Sequence, residues 1–212
     1  MASTIQVDTI KDIGGNTIIS SNGSGTFTSN LPASGATLTG STNNQVVTVT
    51  GANAITGEAN LIFDGTTLTK PLQPGFSATK STSAQAVNAA YVSVNFNNEI
   101  WDNNADWNGS TTFTAPVTGK YMFTGAMRID SILAQGGSVF GRINTSNRPY
   151  VFGNITDADD VFNATTAQYQ FQGAVVADMD ASDTATLDFF SNFATTIAAD
   201  GERVWFQGYL LG

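Results

Sequence analysis

The residues of this chain that could do chemistry are carboxylates. Asp157, Asp159 and Asp160, in the run TDADD, have the density of oxygen ligands that calcium binding requires. A solvated acidic loop is the alternative reading of the same run. Asp178, Asp180 and Asp183 form a second acidic group between two expected strands, open to the same two readings. A glycoside hydrolase working through two carboxylates would need them a fixed distance apart in a long groove. The only glutamates are Glu58, Glu99 and Glu202, and no acid sits in a distinctive setting, so the chain is expected not to be an enzyme. The absence of Cys and His removes disulfides, thiolate zinc, Ser-His-Asp or Cys-His catalysis and histidine-held haem.

Charge narrows the partners. The net charge is −9 with only 8 Lys plus Arg, so nucleic acid, whose binding rests on clustered cations, is not an expected partner. No stretch approaches the length of a membrane span, so no membrane insertion is expected. The opening MASTIQVDTIKDIGG lacks the apolar run of a signal peptide. Synthesis in a host cytoplasm is therefore expected, with any outside role reached by a route such as assembly into a virion followed by lysis. Trp101, Trp107, Tyr150 and Phe152 fall in or near expected loops, where aromatics can stack on sugar rings; packing in the core or between subunits is the competing role.

The elements that must position these groups are strands. Hydrophobic residues make up 41% and charged residues 12%, with Ser, Thr, Asn, Gly and Ala supplying much of the rest, a mixture that favours strands with polar outer faces. Residues 1–75 hold short β-branched runs between turn signals. QVVTVTG at 45–51 alternates at period two, and Asp64-Gly65 within LIFDGTTLT is a hairpin signal. Phe27 and Phe63 are the only aromatics before Phe76, so this part is expected to need other chains or a host surface to complete a core. Pro71 and Pro74-Gly75 mark a boundary. In 76–212, strand signals recur over 86–96, 110–116, 120–129, 137–143, 167–179, 183–192 and 203–211, the spacing of an all-β sandwich or jelly roll.

Within that second part, Phe96, Asp102, Trp107, Phe113, Gly119, Tyr121 and Phe123 follow one another in a pattern that resembles the globular head of the complement C-one-q family, in the tumour-necrosis-factor-like superfamily. The closing Phe206-Gln207-Gly208-Tyr209-Leu210-Leu211 resembles that family's last strand. The step from Trp107 to Phe113 is one residue short of the usual, and Gly125 stands where an aromatic is usual. The resemblance implies a jelly roll assembled as a homotrimer, with Phe113, Tyr121, Phe123, Phe206 and Tyr209 in its core and seam. It also implies a non-enzymatic binding role, with calcium near the apex in some members. STIQVDTIKDIGGNTIISSNGSGTFT at 3–28 and LTGSTNNQVVTVTGANAITGEANLIFDGTTLT at 38–69 resemble the openings of bacteriophage fibre and other virion surface proteins. The expectation is a phage virion structural protein on the virion surface: residues 1–75 attach it to capsid or tail proteins, and an outward jelly-roll head binds host glycan or protein. The alternative is a trimeric decoration protein that stabilises the capsid at threefold positions.

Overall fold

The computed structural model describes residues 9–21, 27–29, 37–39, 42–52, 54–132, 137–162 and 167–212. The chain divides into two compact units, Met1–Lys70 and Pro71–Gly212.

In the first unit, β1 (Thr9–Lys11), β2 (Thr17–Ser21) and β3 (Phe27–Ser29) form an antiparallel sheet in that order. The turn between β1 and β2 is held by the Asp12 carboxylate, which accepts the backbone and side-chain N–H groups of Asn16, and Gly15 supplies the positive φ. A second sheet joins β4 (Thr37–Thr39), β6 (Ala54–Phe63) and β5 (Gln45–Gly51) in the order β4-β6-β5, with β7 (Leu68–Thr69) paired to β6. The hairpin expected at Asp64-Gly65 is present. Asp64 Oδ1 accepts the N–H groups of Thr66 and Thr67, Gly65 has φ +99°, and Phe63 pairs with Leu68. None of the residues of this unit whose side chains are described is buried: Val49, Leu68 and Ile13 all face solvent. Short strands with apolar side chains exposed to water have little to hold them as an isolated body.

The second unit is an all-β jelly-roll sandwich. Its strands are β8 (Gly75–Thr79), β9 (Gln85–Ser93), β10 (Asn98–Asp102), β11 (Thr112–Thr114), β12 (Gly119–Ile132), β13 (Val139–Thr145), β14 (Pro149–Ile155), β15 (Ala167–Met179), β16 (Thr184–Ile197) and β17 (Trp205–Leu210). A one-turn helix, α1 (Ala158–Val161), separates β14 from β15. The first layer runs β10-β8-β17-β12-β15. In the second, β9 and β11 pair with one edge of β16 and β13 with the other, and β14 closes the row. The layers meet where Ile129 and Asp130 of β12 pair with Ile197 and Thr196 of β16. No helix among the described residues is long and apolar enough to cross a membrane.

Alternation along the strands brings the two layers together. Along β12, Tyr121, Phe123, Met127 and Ile129 are buried, and along β16, Ala185, Leu187 and Phe189 are buried. These inner faces interlock through rings: Phe113 lies 5.6 Å from both Tyr121 and Phe123, and Phe171 lies 5.7 Å from Phe189. Phe76 sits among Trp107, Phe113 and Phe206 at 4.7, 5.0 and 5.1 Å. At Gly208 a Cβ would fall inside the ring of Phe123, so only glycine lets β17 lie this close. Gly125 is inward too, and the space a side chain there would take is filled by Leu187 and Phe206.

Candidate functional site

The motif aromatics other than Tyr209 are interior, Phe96 and Trp107 among them. Phe113, Tyr121, Phe123 and Phe206 are fully buried within one chain and leave no surface for a neighbouring copy. Tyr121 satisfies its hydroxyl by donating to the Val117 carbonyl at 2.8 Å. Tyr209 points the other way and is 44% exposed. Asp102 explains itself locally: its carboxylate accepts the N–H groups of Asn104, Asp106 and Trp107, at 3.3, 3.1 and 2.9 Å, and so folds the loop that delivers Trp107 to the core. Asn108 does the same for the next turn, accepting from Ser110, Thr111 and Thr112.

Tyr209 belongs to a broad outer face on the first layer. Register places Gly75, Tyr209, Met122 and Val176 in one row across β8, β17, β12 and β15. The next row is Ser77, Gln207, Thr124 and Ala174, and the third is Thr79, Trp205, Ala126 and Gln172. None of these twelve positions is charged. Val176 is 53% exposed, the Tyr209 hydroxyl rests 3.5 Å from the Met122 sulfur, and Thr124, Gln172, Ala174 and Trp205 rim a hollow of about 410 Å³. Charges begin only at its ends. Lys120 and Asp178 stand 3.9 Å apart at one, and at the other Arg128 is held between Asp130 and Asp200 at 2.9 and 2.6 Å.

The expected loop aromatics are placed differently from the sequence reading. Tyr150 and Phe152 are in strand β14 and pack against the core, and Trp101 is in β10, 40% exposed, over Gly75. Trp107 is buried and bridges to Phe113. Three short strands escaped the pattern because a bulge or close flanking turns broke their alternation: β8, β10 and β14.

Asp157, Asp159 and Asp160 do come together. One oxygen from each lies within 4.8 Å of the others, at the start of α1, and all three residues are exposed. The close contact with Asp159 pushes the Asp157 carboxyl above the usual carboxylate range. The group supplies three of the six to eight oxygens that calcium takes. Asp178, Asp180 and Asp183 do not converge on a common point. Asp183 is spent on the turn, accepting from the Asp180 N–H, the Ser146 hydroxyl and the Asn147 amide, contacts that hold it below the usual range.

Sequence reasoning missed Asp106. Its Oδ2 is buried without a hydrogen-bond partner, beside a cleft of about 300 Å³ lined by Trp107, Asn108, Thr114, Pro116 and Ser182. Burial, reinforced by the neighbouring Asp102 carboxylate, pushes its pKa up to about 6. An aspartate four residues after another aspartate gives no linear signal of this; the environment comes from the fold.

No protein-family model matches the chain, and no curated protein matches it. Among solved structures, the globular domain of the zebrafish complement 1qA protein is similar, at 20% identity and a TM-score of 0.46, over 66% of this chain and 98% of that one. Murine APRIL is similar at 8% identity and a TM-score of 0.48, over 66% of this chain and 99% of that one.

Proposed function

We propose that this chain is a homotrimeric structural protein of a bacteriophage virion surface, a fibre whose jelly-roll head faces outward and binds the host. The single observation that carries the trimer is the uncharged outer face of the first layer. In a protein of net charge −9, an uncharged face four strands wide, bearing Tyr209, Met122, Val176 and Trp205, is surface suited to contact with other copies. The motif resemblance of residues 96–123 and 206–211 implies the same assembly. A trimer repeats each contact with the host three times, which turns weak binding into firm attachment. The head acts by binding and not by catalysis.

The first unit supports attachment to a particle. Val49 and Leu68 on its short strands and Ile13 in the turn between β1 and β2 are exposed, apolar surface that other virion proteins would cover. That same feature favours a second reading, in which the unit clamps capsid subunits and the head is a decoration knob at threefold positions.

Light scattering on the full chain tests the assembly. Three copies are expected, and Val176→Arg and Tyr209→Arg, at exposed positions, should each yield smaller species that remain folded by circular dichroism. A wild-type monomer would overturn the trimer. Antibody labelling of purified particles in the electron microscope separates the jobs: label on the tail supports the fibre, label over the whole capsid supports decoration, and particles without label refute both.

A further inference from the structure

The outer face of the second layer carries an aromatic cluster that neither the core nor the uncharged face uses. Tyr91, Phe190 and Phe140 pair across β9, β16 and β13 in one row. Their rings lean together, with Tyr91 4.8 Å from Phe190 and 5.5 Å from Phe140, and Phe140 4.9 Å from Phe190. Tyr91 is 49% exposed. In the adjoining row stand Ser93, Asp188, Arg142 and Val151, the last 56% exposed.

The polar half of the cluster is braced. Asp188 is buried although it lies on the outer face. Its Oδ1 accepts the hydroxyls of Ser93 and Thr186, both at 2.8 Å, and its Oδ2 accepts Nε and Nη2 of Arg142 at 3.0 and 2.9 Å. The guanidinium is thereby laid over the Tyr91 ring, 4.0 Å from its centroid. Nη1 of Arg142 and the Tyr91 hydroxyl are left without a partner among the described residues. Beside Tyr91 the strand is irregular: Ala89 has φ 50° and the ladder slips between Ser191 and Ala194, a bulge of the kind that re-aims side chains.

We infer that this cluster is a saccharide-binding platform for a neutral pyranose ligand. Three properties select that occupant. Arg142 and Asp188 cancel each other, so the patch favours neither anion nor cation, and an acidic ligand would also have to approach a chain of net charge −9. The ring edges and Val151 offer apolar surface to the C–H face of a sugar, while the free Nη1 and the phenol offer hydrogen bonds to its hydroxyls. Three strands span about 10 Å, the width of one or two sugar rings. Such a patch is well short of the roughly 800 Å² per partner that a stable protein interface uses. The inference goes beyond the fibre reading, because it places a contact on one strand face and names its occupant, and it holds whether or not the protein rides on a particle.

The test is a glycan array with the full-length protein, followed by calorimetry with cellopentaose, maltopentaose, chitopentaose and an oligogalacturonate. Binding to a neutral oligosaccharide is expected. Tyr91→Ala should weaken it about tenfold or more, the ratio set by 1.4 kcal/mol. Val151→Arg, at an exposed position that leaves the cluster intact, should block it while the melting temperature and light scattering stay unchanged. Absence of saccharide binding, binding retained in both variants, or preference for the acidic oligomer would each overturn the inference. None of these outcomes bears on particle labelling, which tests the fibre reading separately.

Discussion

Replacing Asp106 by Asn should stabilise the protein, and by an amount that depends on pH. In the folded chain the carboxyl is raised from 3.8 to about 6, first by burial and then by the Asp102 charge. A group raised above its unfolded value contributes stability that is fully present below the unfolded pKa and is lost as pH climbs through the folded one. The wild type should therefore lose stability between pH 4 and pH 6 to 7, while an amide at 106, which does not titrate, should not. The full rise corresponds to about 3 kcal/mol. The residue is only partly buried, and screening by solvent reduces this to about 1 to 2 kcal/mol. For a unit of this size that is about 3 to 6 °C in melting temperature. Thermal melts of wild type and Asp106→Asn at constant ionic strength and protein concentration, from pH 4 to pH 8, should show a gap that widens in favour of the variant up to pH 7 and then levels. A gap that is flat across this range, or that moves against the variant as pH rises, would refute the assignment of a partly buried carboxylate whose Oδ2 has no hydrogen-bond partner.

Gly208→Ala forces a methyl group into the Phe123 ring and should cost about 1 to 3 kcal/mol, read as a lower denaturant midpoint at unchanged slope. Asp102→Ala removes the acceptor of three backbone N–H groups and should destabilise by about 2 kcal/mol, with a red shift in Trp fluorescence as Trp107 gains water. Tyr121→Phe takes away only the hydroxyl bound to Val117 and should cost about 1 kcal/mol in chemical denaturation, with no change in oligomeric state.

Much of the architecture was readable because burial on one side of a strand writes period-two alternation into the sequence. The runs at 120–129, 167–179 and 183–192 correspond to β12, β15 and β16, and Asp64-Gly65 announced its hairpin. What escaped lay where alternation fails. Trp101 follows a slip in the ladder between Glu99 and Trp101, and Tyr150 and Phe152 sit on an edge strand whose partner residues shift between Val139 and Gly141. Both segments therefore looked like loops.

The amino-acid sequence alone determined the chemistry closed to this protein, since no arrangement of a chain without Cys or His can make their sites, and it marked the aromatic and glycine positions on which the sandwich depends. The tertiary structure decided what each of those residues is for. Tyr121 and Tyr209 are both tyrosines on sheet strands of one layer, yet one is sealed in the core and the other stands on an uncharged outer face. Three aspartates meet at 157, 159 and 160 while 178, 180 and 183 do not, and Asp106 carries a perturbed proton because Trp107 and Asp102 are folded around it. The reason is physical. Residue type sets what a side chain can bond to, but which groups come within reach, and how much water remains between them, is set by strands paired across distances the linear order does not show.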